Sequence, residues 1–285
     1  MTSIDKARPA RLTVRTVAIA GVLVALGAAV ARPAAAQQSL AARVAAVRNG
    51  SAQFEFPSRE DACGDGRSYI RIGDSMNGYF NSNTDLSNCQ PGPVRIVLDV
   101  RDGRVAALRD YLGPVTPAAA GVTELGEVSA AEGSSFLLGL VESQGEGRVV
   151  NRAVFPAMLG RDVVAWPTLL RIAKADTRGG RRRGHDVIFW LAQYAAARLA
   201  GSDDPFAARG LRDESDEEDV KEHAVFALSQ LHNGEGVEPL MQVARTNKDQ
   251  RVRAKAMFWL GESGDPRALD LFEQVLTGRP PAPRG

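Results

Sequence analysis

The hydrophobic pattern of this chain changes period several times. Val17 to Ala31 (VAIAGVLVALGAAVA) is one unbroken apolar run. From 38 to 48 (QSLAARVAAVR), Leu40, Val44 and Val47 fall on one helical face, and Asn49-Gly50 stops the helix. The period then becomes two. Phe54 and Phe56 alternate with Gln53 and Glu55, and Tyr69-Ile70-Arg71-Ile72 reads as a second strand. VRIVLDV at 94–100 and RVAALRDYL at 104–112 flank Arg101-Asp102-Gly103, and Asp-Gly between alternating apolar runs is a strong hairpin signal. The polar stretch between Cys63 and Cys89 reads as a loop. Residues 113–128, rich in Pro, Gly and Ala, read as a connection with one short extended piece. Ser129 followed by Glu132 is a capping box. It opens a helix over 130–143 whose apolar face is Phe136, Leu137, Leu140 and Val141. The region predicts a small antiparallel sheet with a helix or two on one face.

Beyond residue 148 the chain repeats itself. VVNRAVFPAML at 149–159, RGHDVIFWLAQ at 183–193, VKEHAVFALSQL at 220–231 and VRAKAMFWLGES at 252–263 align on Phe155, Phe189, Phe226 and Phe258, spaced 34, 37 and 32 residues apart. Steps of 11, 14 and 17 residues reach Trp166, Leu169 and Ile172 after Phe155. The same steps reach Val237, Leu240 and Val243 after Phe226, and Leu269, Phe272 and Val275 after Phe258. That offset set predicts a partner helix for each. The unit after Phe189 departs from it, with GSDDPFAARGLRDESDEED at 201–219 in place of the partner. Helix pairs cannot cover their own apolar faces, so they are expected to stack into an α-solenoid. In the third unit, Val220, Ala224, Ala227, Leu228 and Leu231 are expected to face the partner helix, with Val225 on one flank.

VRAKAMFWLGESGDPRALDLFEQVL at 252–276 resembles a bacterial HEAT repeat, of form V-R-x-x-A-x-x-A-L-G-x-x-G-D-x-x-A. Val252, Arg253, Ala256, Leu260, Gly261, Gly264, Asp265 and Ala268 follow that pattern, and Trp259 stands for its second Ala. The 220–244 segment has Lys221 for Arg and Ser229 for Gly, and 183–193 keeps only the centre. The resemblance spans roughly 149–277 and is to secreted bacterial HEAT-repeat proteins. It implies an α-α superhelix and protein binding.

Charge changes the picture little. Lys+Arg 35 against Asp+Glu 34 leaves +1, no bulk electrostatic reason to bind nucleic acid. A hydrophobic share of 44% excludes disorder over most of the chain. The N-terminus matters more. Lys6, Arg8, Arg11 and Arg15 precede the apolar run, which is shorter than a membrane-spanning helix needs, and Ala34-Ala35-Ala36 follows as an A-x-A cleavage site. Residues 1–36 therefore read as a secretory signal, with an uncleaved anchor as the alternative, and the location as periplasmic or secreted. In an oxidising compartment Cys63 and Cys89, the only cysteines, are expected to pair. Closing a loop of that length contributes about 3.5 kcal/mol on the chain-entropy model.

Little chemistry is legible. Asp61-x-Cys63-x-Asp65-Gly66 resembles the start of a calcium loop, but Cys63 holds a ligand position and Ile72 stands where a bidentate Glu is required. His185, His223 and His232 read as solvated positions rather than metal ligands. No nucleophile elbow, phosphate loop, zinc-protease or dinucleotide motif occurs in the sequence. No catalytic residue, metal or cofactor is assigned. The arginines at 178 and 181–183 and the acids at 213–219 read as charged loops at helix starts. The sharper candidates are Phe155, Phe189, Phe226 and Phe258, expected as one aromatic row. The row either presents partner-binding rings on the concave surface or packs sideways between repeats.

The expected fold is α+β. A signal at 1–36 precedes a small disulfide-bonded α+β domain at 37–128, a HEAT-like all-α solenoid at 129–277 and a disordered tail at 278–285. The expected function is a non-enzymatic exported scaffold that binds a protein or peptide, without stable membrane insertion after cleavage. The alternative is an envelope-associated enzyme or processing factor with a site between the two domains. N-terminal sequencing of the protein recovered after export should begin near Gln37; a membrane-bound product beginning at Met1 or Thr2 would contradict the cleavage.

Overall fold

The computed structural model describes residues 38–73, 75–78, 87–114, 119–144, 148–179, 185–199, 201–206 and 224–278. The segment 1–36 read as a secretory signal, the arginines at 181–183, the acids at 213–219, His223 and residues 279–285 lie outside them.

The N-terminal part is a short helix, α1 (Leu40–Ala46), and two sheets. The larger sheet has strand order β6-β5-β1-β7, from β1 (Gly50–Phe56), β5 (Val94–Arg101), β6 (Arg104–Leu112) and β7 (Val122–Glu127). The smaller has order β2-β3-β4, from β2 (Ala62–Gly64), β3 (Tyr69–Ile72) and β4 (Ser75–Gly78). The β5–β6 hairpin turns on Asp102 and Gly103, at φ 52° and 74°. A two-residue turn of this hand needs positive φ at both positions, which Asp-Gly tolerates. The Asp102 amide donates to Asn49 Oδ1 (3.1 Å) and the Gly103 amide to the Arg48 carbonyl (2.9 Å), so the loop after α1 braces the turn.

The sheet departs from a purely antiparallel one. β7, inside the segment read as a connection, pairs parallel to β1 on the side away from β5. The connection from β6 crosses the sheet, so its returning strand runs alongside β1 in the same direction. The strand expected at 69–72 is β3, and the start of the polar stretch read as a loop is also a strand, since β4 pairs antiparallel with β3. Cys63 and Cys89 are bonded, with Cα atoms 5.2 Å apart. Gly64 and Gln90 beside them exchange two backbone hydrogen bonds, of 3.0 and 2.9 Å.

Asp65, at the calcium-like motif, is a turn residue. Its carboxylate accepts from the backbone amides of Arg67 (2.9 Å), Ser68 (2.8 Å) and Tyr69 (3.2 Å), and from the Ser68 hydroxyl. Partial burial pushes this carboxyl up, but those hydrogen bonds outweigh it and hold it at about 2, against an ordinary 3.8.

The helices are α2 (Ala130–Gln144), α3 (Arg148–Ala157), α4 (Trp166–Gly179), α5 (His185–Leu199), α6 (helical over 224–229), α7 (Val237–Thr246), α8 (Gln250–Ser263) and α9 (Leu269–Thr277). α2 lies on the sheet, and Phe136 meets Phe54 edge-on at 5.6 Å. The contact is close because Gly133 lacks a side chain. A Cβ there would stand 2.6 Å from the ring of Phe56. Half of the expected capping box forms, with the Glu132 amide donating to Ser129 Oγ at 3.1 Å. The Glu132 carboxylate instead accepts from the Leu40 amide (2.7 Å), tying α2 to the start of α1. One buried core runs from Leu40 to Leu276 through both the sheet and the helices.

The offset rule for partner helices holds in α4, α7 and α9. Leu169, Ile172, Val237, Leu240, Leu269 and Phe272 are buried, and Trp166, Val243 and Val275 half-buried. The helix pairs do not follow one another in chain order, however. α8 packs on one side against α5 and on the other against α7, and α9 packs on α4 and α5. Lys174 of α4 pairs with Glu273 of α9 at 2.5 Å, and the Arg198 guanidinium of α5 donates to the Leu276 carbonyl at 3.3 Å. Among the described residues α8 covers a face of α5. α6 and α7 then sit beyond α8.

The folded-state depression at Asp65 gives a signed expectation. A carboxyl held below its unfolded value contributes stability above about pH 4 and loses it as pH falls towards 2. Asp65→Asn should therefore melt below the parent protein at neutral pH. The two melting curves should converge when the pH is lowered through that window.

Candidate functional site

The aromatic side chains of the helical region form one connected chain of rings. Phe155 on α3 lies 6.0 Å from Trp190 on α5 and 6.4 Å from Phe206 in the loop after α5. Trp190 and Phe206 are 5.1 Å apart. Phe189 meets Trp190 at 5.3 Å and Phe258 of α8 at 6.2 Å, both edge-on. Phe258 meets Trp259 at 5.0 Å, and Trp259 meets Phe226 of α6 at 5.1 Å. Edge-to-face pairs at these separations add about 0.5–1.5 kcal/mol beyond the area they bury.

The four phenylalanines are thus connected, but in the order 155, 189, 258, 226, with tryptophans between most of them. Phe189 and Phe258 touch directly. Phe155 reaches Phe189 through Trp190, and Phe226 reaches Phe258 through Trp259. The order follows from α8 lying between α5 and α6–α7. The linking tryptophans had a signal in the sequence, since Ile188-Phe189-Trp190-Leu191 recurs as Met257-Phe258-Trp259-Leu260. Phe206 had none, because it lies in the segment that breaks the repeat.

One end of the ring chain is closed. Trp190 and Phe206 are buried, and the Arg59 guanidinium lies over the Phe206 ring at 4.6 Å. Arg59 donates to both Asp204 oxygens (3.0 and 2.6 Å) and to Asp61. Burial disfavours the charged guanidinium, but hydrogen bonds and attraction from Asp204 and Asp61 outweigh it and raise its proton affinity. Burial also pushes the Asp204 carboxyl up; hydrogen bonds from Arg59 and the Phe206 amide hold it below the usual carboxylate range. A bidentate, charge-assisted pair of this kind fixes geometry as well as adding energy. It pins the start of the 201–206 loop to the chain just before β2.

The other end is open. Phe226 is 42% exposed and Leu231 45% exposed. On α6 the buried residue is Val225, Leu228 is half-buried, and Ala224 and Ala227 are exposed, as is Leu231 just after the helix. That reverses the expected face, because α6 seats itself through Val225 and the Phe226–Trp259 contact. Beside it is a cavity of about 270 Å³ with Leu228, Leu231, Val237 and Leu240 on its apolar side and Asn233 and Asp265 on its polar side. The Arg267 guanidinium bridges Asp265 (2.8 Å) and the Gly234 carbonyl (2.8 Å), closing the far wall. His232 is exposed at this end. Among the described residues no three His, Cys, Asp or Glu side chains are placed to hold a metal ion, and no helix is long and apolar enough to cross a membrane.

A run of helix pairs joined by short turns, with an apolar seam shared between pairs, defines a helical-repeat segment. Residues 205–284 match the family of HEAT repeats. The match takes in α6 to α9, two of the four units aligned on phenylalanine, and stops short of α2–α5 and the sheets. No curated protein and no solved structure matches the chain.

Position along the ring chain sets the cost of removing a ring. Phe155→Ala and Phe189→Ala, both packed against the core, should each destabilise by about 2–4 kcal/mol. Phe226→Ala, at the open end, should cost no more than about 1 kcal/mol. Urea denaturation of the three variants would check the ranking.

Proposed function

We propose that this chain is a non-enzymatic, exported scaffold that binds a protein or peptide partner through the open end of its HEAT-like helical region. The observation that carries the reading is the match of residues 205–284 to HEAT repeats together with the exposure of Phe226 on α6 and Leu231 just after it. HEAT repeats commonly mediate protein interactions, and repeat proteins present extended surfaces to their partners. Aromatic side chains are the usual anchors of such interfaces. The α-solenoid architecture, the bacterial origin and the periplasmic or secreted location belong to the same reading. They are supported by the repeat register and by the basic, apolar and A-x-A segments of the leader.

Phe226 supplies the test. A photo-crosslinking residue placed at Leu231 should capture one abundant partner from a bacterial envelope fraction. Adding Phe226→Asp to that chain should abolish the adduct while leaving its melting temperature within a few degrees of the parent. Capture that survives Phe226→Asp, or the absence of any adduct from Leu231, would count against this surface.

A further inference from the structure

The mixed sheet ends on β7, and no described strand pairs with its far side. Thr123, Glu124, Gly126 and Glu127 are exposed, and Val122 and Leu125 half-buried. An edge strand offers a row of main-chain N–H and C=O groups to any chain that can lie beside it. Proteins blunt such edges, and β7 is blunted towards its C-terminal end. There Gly126 has φ 78°, and the register with β1 shifts between Gln53 and Glu55. Over 122–124 the strand keeps regular register with 51–53, with the Val122 amide donating to the Ala119 carbonyl at 3.1 Å.

Along this edge runs a groove of about 650 Å³ between β7 and the α1 segment. Ala46, Val47 and Leu125 form its apolar floor, and Val47 and Leu125 rest on the core. Arg43 and Arg48 are the titratable side chains that line it. Glu124 is turned to the opposite face of the strand, where it accepts from Gln53 Nε2 at 2.6 Å. Arg43 donates to the Leu125 carbonyl and lies 3.8 Å from Glu132. Arg48 is exposed and has no acidic partner among the described residues. A strand edge, an apolar floor and an Arg48 guanidinium without an acidic partner among the described residues therefore meet in one groove. This is the combination that strand-addition sites use, with main-chain hydrogen bonds for affinity and alternate side-chain contacts for selection.

We propose that this groove binds a short extended peptide bearing carboxylates, added as a further strand along β7, with Arg48 as its principal cationic contact. The regular part of the edge accommodates roughly three residues of such a strand. The site is separate from the exposed end of α6 and does not rest on the HEAT-like reading.

The test uses the full chain and three fluorescein-labelled octapeptides read by anisotropy at low salt. The first alternates valine and glutamate, and the second has lysine for glutamate. The third is the first with alternate backbone nitrogens methylated. The glutamate peptide should bind about tenfold or more tightly than the lysine peptide, and methylation should abolish binding. Arg48→Glu should weaken the glutamate peptide by about tenfold and leave the melting temperature unchanged. Phe226→Asp should leave peptide binding as it was. Absence of glutamate-peptide binding, equal binding of the lysine peptide or indifference to Arg48→Glu would overturn the proposal. Retained affinity of the methylated peptide would reduce the groove to an anion site and overturn it equally. Loss of binding with Phe226→Asp would move the peptide to the helical surface.

Discussion

Helix α5 is enclosed by α3, α4, α8 and α9, and from Leu191 to Ala197 every residue is buried. A helix surrounded in this way must be apolar around its whole circumference and thin where neighbours cross it. Ala192, Ala195, Ala196 and Ala197 supply the thinness. The nearest crossing is with α8, where a Cβ on Gly261 would stand 2.4 Å from that of Ala192. Tyr194 carries one of the polar groups inside this enclosure, and its hydroxyl accepts from the Ala165 amide at the start of α4. Gln193 carries another, and neither of its amide atoms has a hydrogen-bond partner among the described residues. Leaving such a group unsatisfied costs about 1–3 kcal/mol. The packing around α5 outweighs that cost.

The sheet is bound to this helical centre by side chains as well as by shared core. Glu132 joins α2 to the first turn of α1. Arg59 joins the segment between β1 and β2 to the loop leaving α5, with Phe206 beneath its guanidinium. Between them, Ser58 and Gly160 form a β-bridge, with the Arg59 amide donating to the Leu159 carbonyl at 2.8 Å. A half-buried Arg–Asp pair with full hydrogen bonding costs far more to break on one side than an exposed pair does. Asp204 therefore couples the N-terminal sheets to the segment from which α6–α9 depart.

What the sequence made legible was local. The Asp102-Gly103 turn, the short α1, the boundaries of α2 and the buried faces of α4, α7 and α9 all follow from turn chemistry or helical period, which act within a dozen residues. What it left obscure was settled across longer distances. β7 was legible only as one short extended piece in a connection, because Thr123, Glu124 and Glu127 leave it little hydrophobic alternation; its place in the sheet comes from the edge that β1 offers it. β4 lies in a polar stretch whose composition reads as loop, and pairing with β3 organises it. The four phenylalanines were visible as equivalent positions, but their order was not. Equivalence in a repeat reports similar surroundings and says nothing of which neighbour provides them. Of the site residues, Trp190 and Trp259 were recoverable from the repeated Phe-Trp pair, whereas Arg59 carried no local sign of its distant partner.

The placement of α8 between α5 and α7 bears on how the chain reaches its native state. In a simple repeat array each unit can add to the one before it, so loop closure stays short and nucleation can begin anywhere. Here α8 and α9 must find α4 and α5 across the whole intervening segment, and α6–α7 is seated on α8 and on Arg267 just beyond it. Closing a longer loop adds little to the equilibrium cost, since that cost grows only logarithmically. Its larger effect is on rate, because non-local contacts must be made before they stabilise anything. During synthesis, therefore, the side of α5 that α8 and α9 cover has to wait until residues 250–277 have been made, and α6–α7, though made earlier, is anchored after them.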